Sequence, residues 1–181
     1  MKTFILGLII GVILIPLLVY AYFATGSAPV ATSASPMPFE KMLAGKALDA
    51  KIEKEMPKSV PLPATEPNYV AGAQVYKENC SVCHGLPLES PTAISKGMFP
   101  KPPQLFRGKG VTDDEPGETY WKVANGIRLT GMPAFKTMLT DSEIWQVSLL
   151  LANADKPLPP AAVEILRGEP PVPAVVVPET K

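Results

Sequence analysis

Histidine and cysteine are nearly absent from this chain: 181 residues hold one His and two Cys. That scarcity argues against a closed structural zinc site, which takes four ligands largely from those two types. Neither sign of charge is in excess. The chain carries 17 basic and 17 acidic residues, a formal net charge of +0, so it lacks the basic footprint of a nucleic-acid-binding protein. No stretch alternates apolar and polar residues as a half-buried strand does, and the chain reads as all-α. A thioredoxin-like redox pair would need a βαβ pattern around the cysteines, and none is present.

What is present is concentrated. Both cysteines and the single histidine fall within Cys80-Ser81-Val82-Cys83-His84. Cys-x-x-Cys-His is the pattern that attaches a c-type haem. Two thiols three positions apart each add to one vinyl group of the same porphyrin, and the adjoining histidine reaches the iron as proximal ligand. A plain disulfide between Cys80 and Cys83 would leave His84 unexplained. Two thiols account for one haem c.

Residues 4–23 form an uncharged apolar run, long enough as a helix to cross a hydrocarbon layer of roughly 30 Å. A cleaved signal peptide has a shorter apolar region, of about 7–15 residues. Length therefore favours an uncleaved transmembrane anchor over 1–24. A long signal sequence stays open as the other reading, with small-residue options around Ala24-Thr25-Gly26 or Gly26-Ser27-Ala28. Lys2 places the N-terminus inside, and Tyr20, Tyr22 and Phe23 suit the outer interface. Gly7 and Gly11 are spaced for helix pairing, though glycine is common in membrane helices. Pro16 kinks the helix.

Proline is abundant, at 22 residues, and clusters outside the haem motif. Residues 25–67 read as a linker, extended over 25–38 and again over 57–67. Between them, 39–56 carries Phe39, Met42, Leu43, Ile52 and Met56 at roughly helical spacing against balanced charges. This is either a solvated spacer helix or one whose apolar stripe docks on the haem domain or a partner. The domain itself is expected at 68–155, small enough to need a covalent haem as a staple. Its first helix runs from about Tyr69 into the motif. A middle helix fits Glu118 to Asn125, stopped by Gly126. The last begins at the capping box Thr140-Asp141-Ser142-Glu143, with Leu139 and Ile144 placed as a staple. Residues 156–181 read as a Pro-rich extended tail, apart from a possible helical turn at 161–167.

The chain resembles the class I (mitochondrial-type) c-type cytochromes, as a membrane-anchored bacterial monohaem member. Gly72 and Tyr76 ahead of the haem motif, Pro103-Gln104-Leu105, Gly131-Met132-Pro133-Ala134-Phe135 and Trp145 carry the likeness. The resemblance implies an all-α cytochrome c fold around one covalent haem, preceded by the transmembrane helix. It implies that the first and last helices cross near Gly72 and the aromatic residue, and that the Pro103 carbonyl accepts the other N–H of His84. The 18 residues Gly85 to Pro102 exceed the mitochondrial spacing, which leaves Pro102 as the alternative proline. Leu105 joins the haem-contacting set.

The resemblance also implies Met132 as the distal ligand, 48 residues after His84. Met98 and Met138 are the rivals, and any methionine is otherwise a core filler. With His84 and Met132 both bound, the iron has no vacancy, and the chemistry is single-electron transfer rather than catalysis on a substrate. Arg128 and Trp121 are candidates to hydrogen-bond a haem propionate. Around the haem edge the charges are mixed, with Arg107 and Lys109 among the cations and Asp113 among the acids, so no one-signed field is expected. The implied role is an electron carrier, not an enzyme. Its partners would be a quinol-oxidising complex or dehydrogenase as donor and a terminal oxidase as acceptor, with membrane lipid around residues 4–23. Its place would be the bacterial cytoplasmic membrane, haem domain in the periplasm. A fixed haem subunit of a larger membrane oxidoreductase is the alternative; a haem peroxidase or gas sensor would require an open distal site.

Overall fold

A computed structural model describes residues 2–106 and 114–167. Its elements are α1 (Lys2–Ala24), α2 (Glu40–Glu55), α3 (Glu66–Asn79), α4 (Ser81–His84), α5 (Ala93–Gly97), α6 (Pro116–Asn125), α7 (Asp141–Leu151) and α8 (Pro160–Leu166). Among the described residues there is no strand. The protein is all-α. It divides into two compact units, Met1–Gly45 and Lys46–Lys181.

In the first unit, α1 buries none of its residues, although nearly all are apolar. A run of 23 residues at about 1.5 Å each is long enough to cross a membrane. Its end is closed by the Thr25 hydroxyl, which donates to the Ala21 carbonyl at 2.7 Å. Residues 25–38 that follow carry turns and bends but no helix. The Glu40 carboxylate then accepts from the Met37 N–H at 2.8 Å at the start of α2.

The second unit begins inside α2. Its later half is not free in solvent: Ile52 is buried, and the Trp121 indole N–H donates to Glu55 Oε2 at 3.2 Å. A methyl placed on Gly117 would fall 2.0 Å from the Pro57 carbonyl oxygen, so the chain leaving α2 lies directly on the first turn of α6.

The core is built on α3 and α7. Tyr76, Ile144, Val147 and Leu150 are its largest sealed apolar side chains. The two helices approach so closely at Gly72 that a Cβ there would meet the Gln146 carbonyl oxygen at 2.3 Å. Helix α7 starts with the full capping box: Thr140 accepts from the Glu143 N–H, and the Glu143 side chain accepts from the Thr140 N–H at 2.7 Å. Ile144 lies in the core beside it, and Leu139 packs half-buried against that core. Helix α6 lies on α7, where Tyr120 stacks on Trp145 with ring centroids 4.3 Å apart.

The C-terminal boundary differs from the sequence expectation. Residues 156–167 are not an extended tail: α8 packs on α3 and places Ala162, Ile165 and Leu166 in the core. The cause is tertiary. A helix of 7 residues is unstable alone, and burial of its apolar face holds it. The remainder of the expected tail, 168–181, and Arg107, Lys109 and Asp113 lie outside the described residues.

Candidate haem site

The five-residue motif is the continuation of α3. The Cys80 N–H still donates to the Tyr76 carbonyl, and the Cys80 carbonyl accepts from the N–H groups of Cys83 at 3.1 Å and His84 at 2.9 Å. One helical turn therefore carries both thiols and the imidazole, and residues three and four apart on a helix share a face. Cys80 and Cys83 are unbridged thiols. Burial, reinforced by the neighbouring Cys83, pushes the Cys80 thiol up to about 12.

The turn is fixed at its end by Tyr76. This fully buried side chain donates its hydroxyl to the Gly85 carbonyl at 2.6 Å, and its ring meets Phe106 edge-to-face at 4.9 Å. Gly85 has a φ of 73° and faces the Gln104 side-chain amide, which a Cβ would approach to 2.9 Å. The segment around Pro103 is thereby laid against the turn that follows the motif.

His84 Nδ1 lies 2.8 Å from the Pro103 carbonyl oxygen. A carbonyl only accepts, so the imidazole proton sits on Nδ1 and Nε2 keeps its lone pair. Burial lowers the pKa of His84, and the Pro103 hydrogen bond partly opposes it. The ring is neutral near pH 7, the form that ligates a metal. Of the two prolines, Pro103 supplies the acceptor. Leu105 is half-buried against the core cluster that includes Cys80.

Met132 is delivered by the turn after α6. Gly126, with φ 67°, ends that helix, and the returning strand of chain passes so near that a Cβ there would meet the Met132 carbonyl oxygen at 2.8 Å. The Met132 carbonyl accepts from the Ile127 N–H at 3.2 Å, and its N–H donates to the Thr130 hydroxyl at 3.1 Å. Beyond it, Phe135 and Lys136 donate back to the carbonyls of Val123 and Ala124 at 3.0 and 3.3 Å. Met132 packs half-buried on the same cluster as Cys80 and Leu105. Met138 is 61% exposed. Met98 is half-buried, its methyl against Gly131.

The two propionate candidates fare differently. The Trp121 N–H is committed to Glu55. Arg128 is exposed, and no side-chain hydrogen bond or ion pair places it among the described residues. Sequence reasoning missed the Tyr76–Gly85 bond, the Gln104 contact and α5. Only α5 left a sequence signal: Thr92 before Ala93-Ile94 is an N-cap residue, and its hydroxyl accepts from the Ser95 N–H at 3.1 Å.

No group of three or more His, Cys, Asp or Glu suited to a bare metal ion occurs among the described residues. The donor set fits a covalently attached haem instead: paired thiols on one turn, a neutral imidazole held at Nδ1, and a buried tyrosine fixing the turn. The all-helical fold is consistent with a cytochrome c domain. Over residues 67–149 the chain matches the family model described as cytochrome C oxidase, cbb3-type, subunit III, a c-type cytochrome family. No curated protein matches the chain. Among solved structures, a chain of the Kuenenia stuttgartiensis reducing HAO-like protein complex is similar, at 26% identity and a TM-score of 0.46. The likeness covers 56% of this chain and 52% of that one, so this chain spans about half of that relative's length. A cytochrome c domain implies covalently bound haem c and haem-based electron transfer, and two cysteines fit one haem. The N-terminal apolar helix is of the kind that serves as a membrane anchor or a signal sequence.

Proposed function

We propose that this chain is a membrane-tethered monohaem cytochrome c that passes single electrons between redox partners. Cys80 and Cys83 would hold haem c by thioether bonds, with His84 and Met132 as axial ligands. The observation that carries the reading is the Pro103 carbonyl on His84 Nδ1, at 2.8 Å. It orients the ring, fixes the tautomer and raises the basicity of Nε2. When bound, the haem supplies a one-electron couple. A thioether on the distal side raises its potential relative to a second nitrogen ligand.

The protein's own part is to hold this set rigid. Tyr76 pins the motif turn, Pro103 orients the imidazole, and the hydrogen bonds of Ile127 and Thr130 fix the Met132 backbone. Two fixed axial donors leave no position for substrate, which favours a carrier over an enzyme. The setting proposed is the bacterial cytoplasmic membrane, spanned once by α1, with the haem domain in the periplasm. Lys2 before the apolar run supports that orientation. Donor and acceptor are proposed as a quinol-oxidising complex or dehydrogenase and a terminal oxidase.

Carbon monoxide tests the ligation. The reduced, purified full-length protein is expected to show no spectral change under carbon monoxide, because both axial positions are filled. Rapid binding with a shifted Soret band would overturn the carrier role in favour of an open-site haem protein. A second reading, a fixed subunit of a membrane oxidoreductase, is favoured by the description of the matching family, an oxidase subunit. Stable co-purification with other subunits in mild detergent would select it over a free carrier.

A further inference from the structure

The segment Gly85 to Pro102 is longer than the resemblance calls for, and the site as described uses none of its middle. That middle is α5, tied at one end to the haem motif. The Thr92 hydroxyl donates to the Val82 carbonyl at 2.7 Å. It also accepts from the Ser95 N–H at 3.1 Å, capping the helix. Ser95 is buried, and its hydroxyl donates to the Thr92 carbonyl at 3.0 Å. At the other end Met98 caps α5, its N–H donating to the Ser95 carbonyl. The Met98 side chain reaches across to Gly131: a methyl placed on Gly131 would fall 1.9 Å from Met98 Cε. Gly131 precedes Met132.

We infer that α5 and Met98 form a brace that runs from the proximal haem motif to the distal loop and holds Met132 in ligating position. The path is continuous: Val82 carbonyl, Thr92, α5, Met98, Gly131, Met132. A side chain at 131 would displace the Met98 methyl, the movable end of a flexible side chain, and so would loosen this contact. Gly131 is not in the left-handed backbone region, so the effect of a side chain there is one of space alone. Met98 is thus a positioning residue, acting through Gly131. A thioether side chain suits the task because it fills irregular gaps. The inference rests on Met132 being the distal ligand.

The test uses the full-length holoprotein in detergent, with the haem content of each variant checked by its covalent haem stain. Two signals are read: the rate of carbon monoxide binding to the reduced form, and the iron–thioether charge-transfer band of the oxidised form. Met132→Ala is the control and is expected to open the site fully. Met98→Ala is expected to keep its haem, weaken the band and bind carbon monoxide where the unaltered protein binds none, at roughly a tenth of the Met132→Ala rate, a difference within the range of coupling through packed side chains. Met98→Leu, which keeps the bulk, is expected to restore both signals. Gly131→Ala is expected to act like Met98→Ala in the native background and to add nothing once Met98 is alanine, where its methyl has room.

A normal band and unchanged carbon monoxide binding in Met98→Ala, with Met132→Ala open, would overturn the brace alone. Additive effects of Met98→Ala and Gly131→Ala would overturn it too, since the two would then act separately. A closed site in Met132→Ala would overturn the ligand assignment beneath it. Full opening in Met98→Ala without rescue by leucine would make Met98 itself the ligand.

Discussion

Tyr76 shows how one side chain links the core to the site. It is completely buried between α3 and its neighbours, yet its hydroxyl reaches the carbonyl of Gly85, the residue after His84. Burial keeps its phenol protonated well above the ordinary tyrosine range, so it remains a donor. Tyr76→Phe preserves the ring and its contact with Phe106 but strands a buried carbonyl. Such a loss costs about 1–3 kcal/mol, and it falls on the turn that carries the imidazole. Denaturant unfolding of the holoprotein should show that loss, with the haem still attached. An unchanged midpoint would mean that the Gly85 carbonyl finds another donor. The thiols, the imidazole and the tyrosine were all legible in the sequence, because the haem motif is local. The bond between Tyr76 and Gly85 was not, because nothing in residue spacing fixes where a backbone carbonyl will point.

At the scale of helices, the crossing of α3 and α7 depends on Gly72. Its missing Cβ would lie 2.3 Å from the Gln146 carbonyl oxygen and 2.7 Å from the carbonyl carbon. Both are main-chain atoms, so relief requires the helices to separate. Gly72→Ala is expected to destabilise the domain by about 1–3 kcal/mol, as overpacking does, read as a lower thermal midpoint. A midpoint equal to that of the unaltered protein would show that the crossing is looser than described. Helices α6 and α7 are joined differently, by Tyr120, which stacks on Trp145 and donates to the Asp141 carboxylate. That hydrogen bond, with some burial, raises the Tyr120 pKa to about 12, above its ordinary value of about 10. A raised pKa means that the bond's contribution is complete below about pH 10 and fades as pH climbs through the folded value. Asp141→Asn should return the Tyr120 titration, followed by ultraviolet absorbance, toward the ordinary range. No movement would place the cause elsewhere. Helix α7 and its capping box were readable because the signals sit in consecutive residues. Helix α8 was read only as a possible turn: prolines dominate its surroundings, and its stability comes from apolar contacts with α3, which sequence neighbours do not reveal.

Over the whole chain, the compositional blocks do not coincide with the structural ones. The Pro-rich stretch after Asp155 begins as core, and the linker helix gives its second half to the unit that starts at Lys46. Proline opens helices here, in the first turns of α3, α6 and α8, and does not mark where packing stops. The N-terminal block behaves as its composition implies: α1 is apolar and buries none of its residues. Its side chains from Phe4 to Phe23 are largely exposed, an area that water does not tolerate on a soluble protein. Two environments satisfy it: a bilayer that retains the helix, or an export pathway that removes it. The length, 23 residues, favours retention, since a signal helix needs only about 7–15 apolar residues. The haem protein is therefore expected to stay with membranes through high salt and alkaline carbonate and to leave only in detergent. Its intact mass should include residues 1–24 and one covalent haem. A soluble haem protein whose mass begins near Gly26 or Ala28 would identify α1 as a cleaved signal. The carrier would then diffuse freely in the periplasm, and the tether would have to be withdrawn from the proposed function.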